Sequence, residues 1–110
     1  MFLSRLFPFG RRPGTPKYRI AMARELHGQA IRYVTERNGD NDDVIGRGGS
    51  LTFRDGELLV FSSGEILLRA DADKTDAGYL LSGDGVVITA PDKEQGRYRT
   101  VIAHFVYHRK

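Results

Sequence analysis

Hydrophobic and polar positions alternate most clearly between residues 50 and 70, SLTFRDGELLVFSSGEILLRA, where two short turn signals divide an otherwise apolar run. Asp55-Gly56 tolerates positive φ at both positions and predicts a two-residue type I′ turn, whose geometry matches the twist of the flanking strands. That register sets Arg54 opposite Glu57, Phe53 opposite Leu58, Thr52 opposite Leu59 and Leu51 opposite Val60. Leu51, Phe53, Leu58 and Val60 then share one face. Ser63-Gly64 predicts a second such turn, which pairs Phe61 with Ile66, Val60 with Leu67 and Leu59 with Leu68. Residues 58–61 are apolar on both faces, so this strand belongs at the centre of a sheet and supplies the core.

Upstream, Thr15-Pro16 is a helix start, with Thr as N-cap and Pro where its missing N–H costs nothing. Tyr18, Met22 and Leu26 recur every four residues and Gly28 closes the element, predicting a helix over 16–27 with His27 capping its C-terminus. From Gln29 to Arg37 the residues favour a strand, with Ile31 and Tyr33 on one face and Ala30 and Val34 on the other. Residues 38–43, NGDNDD, are turn chemistry throughout and predict an acidic surface loop. Gly46-Arg47-Gly48-Gly49 opens onto a strand rather than a helix, which predicts a bulge or corner and not a phosphate loop. Residues 79–81 suggest a short strand and residues 86–90 another, ended by Pro91. The longest β pattern is RYRTVIAHFVYH at 97–108. Arg97, Arg99, Val101, Ala103, Phe105 and Tyr107 fall on one face, and Tyr98, Thr100, Ile102, His104, Val106 and His108 on the other.

These elements predict a mainly β (β-rich α+β) domain, an antiparallel sandwich or partly open barrel of about seven to eight short strands with one N-terminal helix. In outline this is similar to small bacterial-type barrels such as PH-like domains. The similarity is of architecture alone and implies no function. At 110 residues the chain has room for one core. It divides into a basic, aromatic tail at 1–14 and a single β-rich domain at 15–110.

Net charge is only +3, but Lys and Arg outnumber acids by eight to two over residues 1–37 and by four to none over 97–110, whereas acids lead by twelve to five between them. The basic ends therefore suit an anionic surface or the chain's own acidic middle. In the tail, Phe2, Leu3, Leu6 and Phe7 sit among Arg5, Arg11 and Arg12. Arg5 and Pro8 interrupt the apolar run a secretory signal requires, which leaves two readings of the tail: a flexible terminus, or an interfacial anchor with aromatics in lipid and arginines at headgroups.

The absence of cysteine excludes disulfides and thiolate chemistry. The Asp-rich stretches starting at Asp40 and Asp71 lack the glycine and glutamate of an EF-hand loop. On a strand His104 and His108 stand about 13 Å apart, too far to share a metal. No cofactor, metal site or catalytic constellation is expected. The sequence favours a non-catalytic binding or scaffolding module in the cytoplasm, either free or peripheral to the membrane face through its tail, with a protein or an anionic membrane as partner and homo-oligomerisation left open. The alternative is a nucleic-acid-binding barrel using Arg97, Tyr98, Arg99 and Tyr107 on the last strand.

Overall fold

A computed structural model describes residues 15–106. One helix, α1 (Pro16–Leu26), precedes eight strands: β1 (Ile31–Asn38), β2 (Asn41–Arg47), β3 (Ser50–Arg54), β4 (Glu57–Ser62), β5 (Glu65–Asp71), β6 (Asp76–Tyr79), β7 (Gly85–Asp92) and β8 (Arg97–Phe105). They form two antiparallel sheets, a five-stranded one in the order β2-β1-β8-β7-β6 and a three-stranded one in the order β3-β4-β5. The predicted sandwich or partly open barrel is therefore found, and no closed barrel forms among the described residues.

The central meander arises from its turns. Asp55 and Gly56 have φ of 53° and 76°, and Ser63 and Gly64 have 53° and 77°, the left-handed values that type I′ turns demand. The β3–β4 register is the one read from the sequence, Arg54 opposite Glu57 through Leu51 opposite Val60. The β4–β5 register is corrected after its first apolar pair. Phe61 faces Ile66 as expected, but Val60 faces Leu68 and Leu59 faces Arg69, so Leu67 is an extra residue. Unbroken alternation would have set Arg69 opposite Leu58 on the core face. The bulge turns Arg69 outward and brings Leu68 and Ala70 in, which is the cheaper arrangement.

A second bulge corrects β1. Ile31 pairs with Phe105 and Tyr33 with His104, leaving Arg32 unpaired, so Ile31 and Val34 both reach the core while Tyr33 faces outward. Residues 38–43 also differ from expectation. Only Gly39-Asp40 form the turn, because Asn41 onward pairs back onto β1. Pro91 does not end β7, which runs on to Asp92. β6 pairs no further than Thr89, so at Pro91 the strand has become an edge, where a missing N–H is tolerated.

The core lies between the sheets. Val34, Val86, Ile88, Ala90, Val101, Ala103 and Phe105 come from the larger sheet and Leu51, Leu58, Val60, Leu68 and Ala70 from the smaller. Full burial of a Val, Leu or Ile side chain contributes about 1.5–3 kcal/mol. α1 lies against β3 and β6, edge strands of opposite sheets, and adds Met22, Ala23 and Leu26 to the core. Thr15 caps it by accepting a hydrogen bond from the Tyr18 N–H at 3.2 Å. At its other end His27 Nδ1 accepts from the Phe53 N–H at 2.9 Å, which ties the helix to β3.

Candidate functional site

The period of two along a strand explains a charged cluster inside the fold. Val34 and Glu36 on β1, Ile88, Ala90 and Asp92 on β7, and Arg99, Val101 and Ala103 on β8 all point inward. At the end of the sandwich where the apolar residues stop, Glu36, Asp92 and Arg99 meet, at 7%, 1% and 5% exposure. Arg99 grips Glu36 with two parallel bonds, Nε to Oε2 and Nη2 to Oε1, both 2.9 Å. Its Nη1 donates to Asp92 Oδ2 at 2.7 Å and to the Leu67 carbonyl at 2.6 Å. The other Asp92 oxygen accepts the N–H groups of Arg69 at 3.0 Å and Glu94 at 2.9 Å.

Because Leu67 and Arg69 belong to β5, this cluster joins the two sheets. The Lys93 N–H also donates to the Arg69 carbonyl at 2.7 Å, so an Asp side chain and one backbone bond take the place of a strand ladder there. The electrostatics agree. Hydrogen bonds from Arg99 hold Glu36 below its ordinary 4.5 against the opposing effect of burial. Burial alone would raise Asp92, but the Arg69 N–H, Arg99 and the Glu94 N–H together hold it below its ordinary 3.8. Glu36 in turn raises Arg99 further above the usual guanidinium value. Three sequence positions with no common motif are thus assembled by topology. The available signal was an arginine and two carboxylates on faces otherwise apolar.

Outside this cluster a chain of ion pairs runs along the surface, with Arg69 bonded to Glu94 at 2.9 Å and Glu57 at 3.1 Å, and Lys93 to Glu57 at 2.5 Å and Asp71 at 2.6 Å. Such exposed pairs are screened and contribute little individually. On the outer face of the five-stranded sheet, Tyr33 and His104 stack with ring centroids 4.2 Å apart, and His104 Nε2 is 3.3 Å from Thr35 Oγ1. Burial lowers the His104 pKa, helped by the Arg32 charge and opposed by Asp42. Val44 and Tyr98 on the same sheet are 47% and 68% exposed.

Of the residues named for a nucleic-acid face, the three that are described, Arg97, Tyr98 and Arg99, do not come together. Arg99 is buried in the ionic cluster, Arg97 lies on the inner side within 3.5 Å of Glu36, and Tyr98 points outward from the opposite face of β8. Tyr107 lies outside the described residues, as do His108 and the tail residues Phe2, Leu3, Arg5, Leu6, Phe7, Arg11 and Arg12. Among the described residues no group of three or more His, Asp or Glu side chains is placed to hold a metal ion, and no helix is long and apolar enough to cross a membrane. Compared with protein-family models, curated proteins and solved structures, the chain finds no match in any of the three.

Proposed function

We propose that the chain is a non-catalytic binding module that its amino-terminal tail brings to the cytoplasmic face of an anionic membrane. The observation that carries the first half is the saturation of the buried charges. Arg99 uses Nε and both terminal nitrogens on Glu36, Asp92 and Leu67, and both carboxylates are bonded through both oxygens. Groups engaged in this way hold the sheets together, and a general acid or base needs a free position toward a substrate. Aromatic and apolar side chains remain on the outer sheet face, where a partner could be held. Support for the second half is the tail's composition, apolar and aromatic residues interleaved with arginines.

The test is sedimentation with vesicles containing anionic lipid, comparing the full chain with a variant lacking residues 1–14. The full chain should sediment, less so at high salt, because screening weakens the arginine contribution and leaves the apolar one. The shortened chain should stay in solution with an unchanged melting temperature. Identical partitioning of the two removes the anchor, and a melting temperature lowered by truncation assigns the tail's aromatics to the core or to a subunit contact.

A further inference from the structure

Two open sheets have four edges, and among the described residues three are closed by named contacts. The β3 edge receives the α1–β1 connection, through Gly28 N–H to the Leu51 carbonyl at 2.8 Å, Leu51 N–H to the Gln29 carbonyl at 3.0 Å, and the His27 bond to Phe53. The β5 edge is held by Asp92 and Lys93. The β6 edge lies beside α1, with Arg19 on Asp76 at 2.9 Å and the Tyr79 hydroxyl donating to Glu25 at 2.5 Å. β2 is different. Among the described residues only its end is covered, where the Arg47 carbonyl and N–H bond to Ser63. Asn41, Asp42, Asp43 and Val44 are all exposed.

The register says which backbone groups this edge offers. In a two-residue hairpin the closing pair, Asn38 and Asn41, exchanges both backbone bonds, and the pairs then alternate. Asp42 and Val44 therefore direct their N–H and C=O groups away from β1, in the arrangement an added strand requires. The side chains decide what kind of strand. Asp40, Asp42 and Asp43 make the edge acidic, with Arg37 offsetting Asp42 through one bond of 3.2 Å to Oδ1 and the Asn38 amide donating to Asp43 at 3.0 Å, and Val44 puts one apolar contact at its centre. Pairing with a second copy is opposed, since the antiparallel register that uses both Asp42 and Val44 sets Asp43 opposite its own copy.

We propose that the β2 edge at 42–44 docks an extended basic segment of a partner protein as an added strand, lysine or arginine facing the aspartates and an apolar side chain facing Val44. The proposal rests on the binding-module reading and deepens it, but it does not depend on the tail.

The full chain would be titrated with a short blocked peptide built around Val-Lys-Lys, which in antiparallel pairing sets valine opposite Val44 and lysines opposite Asp43 and Asp42 on the two faces, following backbone amide resonances, with a Val-Glu-Glu peptide as control. The expected shifts concentrate on residues 41–45, with affinity falling as salt rises. Val44→Pro removes an outward N–H that β1 does not use, so it should keep the melting temperature and weaken binding about tenfold. Asp42→Asn should also weaken binding and flatten its salt dependence, and it serves if Val44→Pro does not fold. Failure of the lysine peptide to bind, equal affinity for the glutamate peptide, shifts away from β2, or concentration-dependent dimerisation through β2 overturns the proposal. Vesicle sedimentation does not report on β2, so failure of the edge and failure of the membrane anchor are distinguishable.

Discussion

Arg99 and Glu36 are joined by two bonds of 2.9 Å, although 63 positions separate them along the chain. The bidentate geometry belongs to a planar guanidinium, and a lysine could not reproduce it together with the bond to Asp92. Arg99→Met should therefore leave two buried carboxylates without a counter-charge and cost about 3–5 kcal/mol. Arg99→Lys should recover only part of that loss. Urea unfolding of the three proteins checks the order, and equal midpoints for wild type and Arg99→Met would show that the cluster does not hold the sheets.

Acid should loosen the same cluster. Glu36 and Asp92 both have folded values below their ordinary 4.5 and 3.8, so each contributes stability that is present above the ordinary value and lost as pH falls through the folded one. Melting temperature should drop as pH is lowered below about 4. Asp92→Asn should flatten that drop while lowering stability at neutral pH. A wild-type acid profile that Asp92→Asn and Glu36→Gln both leave unchanged would assign it to other carboxylates.

His104 acts at milder pH. Its folded value lies below the ordinary 6.5, so the stability tied to the neutral ring is complete above that value and is lost as pH falls through the folded one. His104→Phe keeps a ring against Tyr33 and removes the titration. The difference in stability between the two proteins should grow in favour of the variant as pH goes from 7.5 toward 5, to an extent of about 1 kcal/mol or less for a half-buried ring. A constant difference would contradict it.

Two adjacent glycines at the β2–β3 corner should behave unlike each other. A Cβ on Gly49, whose φ is 113°, would stand 1.9 Å from the Phe61 carbonyl oxygen, whereas one on Gly48, with φ of 70°, meets nothing within 4 Å. Gly48→Ala should cost about 1–2 kcal/mol from conformation alone. Gly49→Ala should cost more, since backbone must move as well. Thermal unfolding of both would settle the order.

Val60→Asp places an unpaired carboxylate at a position with no solvent exposure, in the middle strand of the smaller sheet. The cost of several kcal/mol should leave the domain largely unfolded. Thr52→Asp, on the outward face of β3, should be much milder. Circular dichroism during urea titration separates the two outcomes.

The elements legible in advance were those fixed by neighbours in sequence: the caps of α1, both type I′ turns, and the β3–β4 register that the first turn dictates. Errors arose where a single residue is inserted into a strand. Leu67 and Arg32 each shift alternation by one, and what fixes a bulge is the partner strand across the sheet. Pro91 reads as a stop because a strand with neighbours on both sides needs an N–H that proline lacks, and only the length of β6, which pairs no further than Thr89, shows that this side is open. The Arg99 cluster was hidden for the same reason. Alternation correctly set Arg99 beside Val101, but its carboxylates come from β1 and β7, and their convergence follows from the strand order β1-β8-β7. The surface alternative for Arg99 took its charge as evidence of exposure, when the apolar neighbours on its face pointed inward.

The two sides on which the sandwich is closed are chemically unlike. One is sealed by α1 through Met22, Ala23 and Leu26, an apolar joint that denaturant and cooling weaken. The other is fastened at Asp92, Arg99 and Lys93, an ionic clasp indifferent to cooling in that sense and sensitive to protons. The shell therefore has a separate solvent lever for each seam. Acid should first lower the protection of the Arg69 amide, whose N–H is bound to the Asp92 carboxylate, relative to its intrinsic exchange rate at each pH, while the protection of Leu51, locked under the helix connection, stays as it was.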